Sequence, residues 1–354
     1  MLKKEATDFL KKLVETPSPS GFETEIQQVI RKRVADCADT VTTDVHGNLI
    51  FALNPEGSPR IMLSGHCDEI GLMVTYIDND GFIYVDSIGG VDPNILPGQR
   101  VIIHGKKDVF GIVGKKALHL TKKEEQNKSK KMEDLWIDTG AKNKKSIEKT
   151  VSVGDAITLE AGYRDLQNGL AVARGFDDRI GAFAVAEAFR MLAKGSKIKA
   201  AVFGVSSVQE EVGLRGARTS AYGINPDVGI AIDVGFSADH PGMDKKKVGD
   251  ISLGKGPMIA RGPNINPMVY ALLVKAATSS KIKYQISGES SATGTDANVI
   301  QVTRSGVAAG LVSIPNRYMH SPVEVVSLKD VDNTVKLLAA FIKNLKPGQS
   351  FIPE

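Results

Sequence analysis

The sequence predicts an α/β protein: a mostly parallel sheet flanked by helices, with a small β-barrel domain inserted into it. Helical and strand-like periods alternate through the second half of the chain, the strand-length runs there are apolar, and a block between two α/β pieces contains only short β-type runs. At 354 residues, and with roughly 150 residues per domain, about two domains are expected.

Leu2, Ala6, Phe9, Leu10, Leu13 and Val14 recur at helical spacing and stop at Pro17-Ser-Pro-Ser-Gly21, which predicts an amphipathic first helix. Ile26, Val29, Ile30 and Val34 predict a second. Asp44-Val-His-Gly-Asn-Leu-Ile-Phe-Ala52 reads as a hairpin arm, and Arg60-Ile-Met-Leu-Ser64 as a buried strand that feeds a loop. From about 71 to 159 every run is short and β-like, separated by Gly, Asp and Pro, and none is helical. After about 169 the order becomes a helix at 180–192, apolar strands at 200–206 and 228–232, a helix at 268–277, a strand at 307–312 and a closing helix at 331–345. Residues 1–70 plus 165–354 are therefore expected to form one discontinuous domain, and 71–164 the inserted β-domain.

Forty-five Lys plus Arg against forty-one Asp plus Glu leave a net +4, too little to argue for a nucleic-acid or membrane partner. Residues 121–149 hold nine Lys and six acids, but Trp136 is their only aromatic, so a solvated loop is expected there. Two cysteines, Cys37 and Cys67, exclude a disulfide framework and favour a reducing compartment. Early acids argue against a signal peptide, and no run reaches the roughly 20 apolar residues of a membrane span. A cytoplasmic protein is the expectation.

Ligands of open α/β sheets collect at the carboxyl ends of the strands, so polar residues following apolar strands carry the functional signal. Five segments qualify. Ser64-Gly-His66-Cys-Asp68-Glu69 sets an imidazole two residues from a carboxylate that can take its other ring N–H. Gly175-Phe-Asp177-Asp178-Arg179 opens a helix, where capping alone would explain one Asp. Gln209-Glu210-Glu211-Val-Gly213 ends a strand with adjacent acids, one suited to be a base and its neighbour a ligand. Asp233 closes an apolar strand, where a carboxylate is costly unless paired or metal-bound. Arg317-Tyr-Met-His320-Ser-Pro-Val-Glu324 follows another. Each alone reads more simply as structural; together they supply two His and several acids to one sheet edge, the donor set of a two-metal hydrolytic centre.

These segments, in this order, resemble the tetrahedral, deblocking or glutamyl aminopeptidases, a family of dinuclear metallopeptidases whose members are sometimes labelled endoglucanases. The resemblance spans nearly the whole chain and includes Leu118-His-Leu120 and Leu135-Trp-Ile-Asp138 in the β-only block. It implies that His66 and Asp233 bind one metal, that Glu211 and His320 bind the other, and that Asp177 bridges them. It further implies that Glu210 is the general base, that Asp68 orients His66, and that the Asp177–Asp178 peptide is cis. Thr295-Asp296 matches a Gly-Thr-Asp segment of the family's substrate-pocket wall, with Thr293 where Gly is more usual. Cys67, on an extended segment, is expected to point away from His66.

The implied activity is removal of N-terminal residues from short peptides by a water activated between two divalent ions. Zn suits the N and O donors best, and Co or Mn could substitute. The inserted domain would mediate dimerisation within a twelve-subunit homo-oligomer. An endo-β-glucanase-type glycosidase using two of the acids, and a non-catalytic scaffold on a hydrolase fold, are the rival readings. The glycosidase has no need of the two His, and the scaffold no need of the full donor set.

Overall fold

The structure, a computed structural model, describes residues 2–121, 129–195, 198–346 and 348–353. The first helix, α1 (Lys4–Glu15), buries Phe9, Leu10, Leu13 and Val14, the face marked by their spacing. It is followed by α2 (Thr24–Val34), the hairpin β1 (Thr40–Thr43) and β2 (Leu49–Leu53), and β3 (Arg60–His66).

Six strands then close a barrel: β4 (Gly71–Ile77), β5 (Ile83–Ile88), β6 (Arg100–His104), β7 (Asp108–Gly114), β8 (Trp136–Asp138) and β9 (Ala156–Leu159), in the order β4-β5-β8-β7-β6-β9 with every pair antiparallel. Its interior is a separate apolar cluster that includes Leu72, Val85, Val101, Ile103, Ile137 and Ile157. The block is not purely β: α3 (Lys144–Ile147) makes one turn, capped by Asn143, whose side chain accepts the Ser146 N–H. A turn that short leaves no apolar period to read. The centre of the Lys-rich stretch, 122–128, lies outside the described residues; Lys142, Lys145 and Lys149 beyond it are exposed.

The rest of the chain supplies β10 (Arg164–Asp165), β11 (Leu170–Ala173), α4 (Phe176–Ala193), β12 (Ala201–Ser207), α5 (Arg215–Ile224), β13 (Val228–Phe236), α6 (Lys245–Val248) and β14 (Met258–Arg261). After these come α7 (Pro267–Ser279), β15 (Gln285–Gly288), α8 (Asp296–Gln301), β16 (Ala308–Arg317), β17 (Glu324–Ser327) and α9 (Leu328–Lys343). Four central strands, in the order β12-β3-β13-β16, are mutually parallel, and β2, β17, β11 and β10 extend the sheet antiparallel on its two sides. The expected α/β class holds, with a sheet parallel at its centre and mixed overall. An apolar run reads alike in either strand direction, so periodicity cannot give the sense of the flanks.

Helix α4 lies on β3 because glycine meets glycine. A Cβ on Gly65 would stand 2.4 Å from the carbonyl carbon of Gly181. This close approach sets the first turn of α4, with Asp177 and Asp178, beside the end of β3, where His66 sits. Gly65→Ala is expected to destabilise the fold by about 1–3 kcal/mol through overpacking, read as a lower urea midpoint, and to lower activity as well. An unchanged midpoint would show that the two backbones can separate freely.

Candidate metal centre and active site

The parallel strands bring their carboxyl ends to one edge. His66 ends β3, Glu210 and Glu211 follow β12, Asp233 lies within β13, and His320 follows β16. Asp177 comes from the start of α4, so all five segments singled out in the sequence meet here. One carboxylate oxygen of Asp177 is 3.3 Å from His66 Nε2, and the other is 3.3 Å from His320 Nε2. His320 Nε2 is also 3.5 Å from Glu211 Oε2, and His66 Nε2 is 3.8 Å from Glu210 Oε2. Potential ligand atoms of His66, Asp177 and Glu211 lie within 4.8 Å of one another, as do those of His66, Asp178 and Asp233. His66, Asp177, Glu210 and Asp233 are buried, while His320 is partly exposed.

The surrounding hydrogen bonds fix these groups. His66 Nδ1 lies 3.1 Å from the Asp68 carbonyl oxygen and 3.4 Å from its carboxylate. The same carboxylate accepts the backbone N–H groups of Glu210 and Glu211 at 3.1 and 3.2 Å and the Ser20 hydroxyl at 2.6 Å. Asp68 therefore holds the Glu pair as well as contacting the imidazole, a link the sequence did not disclose.

Glu324 does the matching work at the other end, accepting the N–H of Asp177 at 2.8 Å and of His320 at 3.1 Å. It stands inside a singled-out segment, but only its burial and these partners reveal what it does. Asp178 accepts the His66 N–H at 3.2 Å and the Gly181 N–H at 3.0 Å, and the Asp177–Asp178 peptide is cis. Gln209 and His320 have φ of 54° and 60°, a left-handed backbone that non-glycine residues adopt rarely and mostly where function demands it.

Asp296 does not reach the cleft. It is buried beneath the sheet edge, accepting the hydroxyls of Ser64 at 2.9 Å and Ser207 at 2.7 Å. Thr293 and Thr295 form the cleft wall instead. The Thr293 hydroxyl donates to Asn264 Oδ1 at 2.6 Å, which gives this side chain a partner at a position where a glycine would have none. Cys67 is buried in the main core, away from the cleft lining.

Acid density dominates the electrostatics. Burial, reinforced by neighbouring carboxylates, pushes the Glu210 carboxyl up to about 10 and the Glu211 carboxyl up to about 8, and it raises Asp233 and Glu324 well above the carboxylate range. Asp177 goes the other way: burial opposes its charge, but hydrogen bonds from His320 and His66 outweigh it and hold the carboxyl low. The hydrogen bond to Asp177 lifts His320 to about 9. Protons thus stand in for missing positive charge, the condition that metal cations relieve by displacing them. The donors fit such ions: carboxylate oxygens and imidazole nitrogens without a thiolate, and a buried Glu211 Oε1 that has no hydrogen-bond partner among the described residues.

Imidazoles and carboxylates gathered at the carboxyl edge of a parallel sheet, beside a closed barrel, define a hydrolase of the metallopeptidase class. The chain belongs to the M42 glutamyl aminopeptidase family, whose model matches residues 47–337. It is therefore a peptide hydrolase, a metal-dependent aminopeptidase. It is 39% identical over 344 residues to the lysyl aminopeptidase of Pyrococcus furiosus, covering 96% of this chain and 97% of that protein. The solved TET aminopeptidase of Thaumarchaeota archaeon SCGC AB-539-E09 is similar over 97% of each chain, with a TM-score of 0.92 and 35% identity. The TET1 peptidase of Pyrococcus horikoshii, which can assemble into a tetrahedron or a large octahedral shell, is similar over 96% of this chain and 100% of that one, with a TM-score of 0.86 and 32% identity.

Proposed function

We propose that this aminopeptidase uses two divalent ions and a glutamate base to remove N-terminal residues from short peptides. The observation that carries this reading is the placement of Asp177, with one oxygen toward His66 and the other toward His320. His66 and Asp233 would hold one ion, Glu211 and His320 the other, and Asp177 would contribute to both. When bound, the ion pair lowers the pKa of an attacking water and polarises the scissile carbonyl. Glu210 would be the base that takes a proton from the attacking water and passes it to the leaving amine. Asp68 fixes the backbone of Glu210 and Glu211 so that base and ligand keep their separation. Zn is the preferred ion in this reading, with Co or Mn as substitutes.

The chemistry is assigned to residues 1–70 plus 165–354, and 71–164 to dimerisation within a dodecamer. The similar solved structure of PhTET1-12s, a dodecamer, supports that state, and light scattering tests it: a monomer at working concentration contradicts it. The cytoplasm is the assigned compartment, in keeping with two free cysteines. No helix among the described residues is long and apolar enough to cross a membrane.

Chelation should abolish hydrolysis of aminoacyl p-nitroanilides, with a loss of at least about 100-fold, and Zn, Co or Mn should restore it. A rate that survives chelation would remove the ions from the reaction. Cellulosic substrates should remain uncut with or without metal.

A further inference from the structure

The candidate metal centre opens into a cleft of about 730 Å³ whose lining also includes the consecutive lysines Lys245, Lys246 and Lys247 of α6, and Glu289 just beyond β15. Lys245 pairs with Asp250 at 2.5 Å. Among the described residues, Lys246 and Lys247 have no carboxylate within ion-pair distance, and Glu289 has no cation. With Lys245 offset by Asp250, the cleft wall outside the metal centre thus carries two unpaired lysines against one acid, Glu289.

Two divalent ions would offset the four carboxylates of the centre that line the cleft, those of Asp177, Glu210, Glu211 and Asp233. The lysines therefore decide the sign of the cleft that a peptide meets. Depth decides which part of the peptide meets them. Of the cleft-lining residues, Met258, Leu311, Ser313 and Thr293 are buried and uncharged, whereas Lys245, Lys246 and Lys247 are all exposed. A peptide held by its amino end at the metal centre leaves the cleft through its other end. That end carries the free α-carboxylate, about 3.3–3.6 Å further out for each residue.

We propose that residues 245–247 receive a substrate carboxylate downstream of the bond that is cut, so that short peptides ending in a free carboxylate, or carrying an acidic residue there, are preferred over their uncharged forms. This rests on the aminopeptidase reading and adds a substrate class to it.

The test uses metal-loaded enzyme and compares kcat/KM for Leu-Gly-Gly with its C-terminal amide, for Leu-Glu-Gly amide with Leu-Gln-Gly amide, and for Glu-p-nitroanilide with Gln-p-nitroanilide. Leu-p-nitroanilide measures turnover without any carboxylate. The first pair reads the chain terminus, the second a downstream side chain, and the third the first residue. The expected result at low salt is a preference of about fivefold for the charged member of the first or second pair, the scale of one or two exposed ion pairs. It should reside in KM and fade at 0.5 M salt with its roughly 4 Å screening length. The ratio should fall to about one in the Lys245→Gln/Lys246→Gln/Lys247→Gln variant. Ratios of one in the wild type, a preference confined to the third pair, or a ratio that survives the triple substitution would each overturn the proposal. Failure to cleave Leu-p-nitroanilide or any of the peptides would overturn the aminopeptidase reading, and this inference with it.

Discussion

Glu210→Gln is expected to retain both ions and to lose roughly 100- to 10,000-fold in kcat, the usual range for removing a general base. The substitution keeps the size of the side chain and leaves the backbone N–H of residue 210 on Asp68, so Glu211, the proposed ligand beside it, should not move. What disappears is an oxygen able to take a proton. Glu210 suits that task because its buried carboxylate lines the cleft, 3.8 Å from His66 Nε2 and beside the other candidate donors. Metal content by elemental analysis and kcat on a p-nitroanilide should be measured together. Two ions with wild-type turnover would take Glu210 out of the mechanism, whereas loss of an ion would recast it as a ligand.

Asp177→Asn is expected to go further and abolish both metal occupancy and activity. Among the described residues Asp177 alone faces both imidazoles, so neutralising it should weaken both proposed ion sites at once. The Asn retains the backbone N–H that donates to Glu324, which limits the change to the carboxylate. The readout independent of activity is thermal. An ion at 100 times its Kd stabilises the folded state by about 2.7 kcal/mol, so zinc should raise the wild-type melting temperature and leave that of Asp177→Asn nearly unmoved. Equal zinc-induced shifts in the two proteins would refute the bridging placement.

The two substitutions differ in how visible their positions are in the sequence. Glu210 stands in an acid pair directly after an apolar strand, where a carboxylate projecting into a cleft can be read locally. Asp177 precedes a helix and carries a sufficient alternative explanation as a cap. Its two-sided contact exists only because β3, α4 and the segment after β16 converge, and the Gly65–Gly181 approach allows the first two of these to meet. Asp68 falls between: its nearness to His66 follows from a spacing of two residues, but its hold on Glu210 and Glu211 joins positions more than 140 apart in the chain. Glu324 was in view as a residue and silent as a participant, because two backbone N–H groups from separate elements define what it does.

The sequence by itself determined the alternation of elements, the predominantly β character of the inserted block, and the candidate donor residues that follow apolar strands, since each of these is a local pattern of side-chain type and spacing. Tertiary structure alone decided the antiparallel flanks of the sheet, the order of the strands around the barrel, the burial of Asp296 under Ser64 and Ser207, and the facing of one carboxylate toward two imidazoles. The physical reason is that hydrogen-bond partners, burial and the resulting proton affinities are set by which segments lie side by side, and side-by-side contact between distant segments leaves no period in the chain to be read.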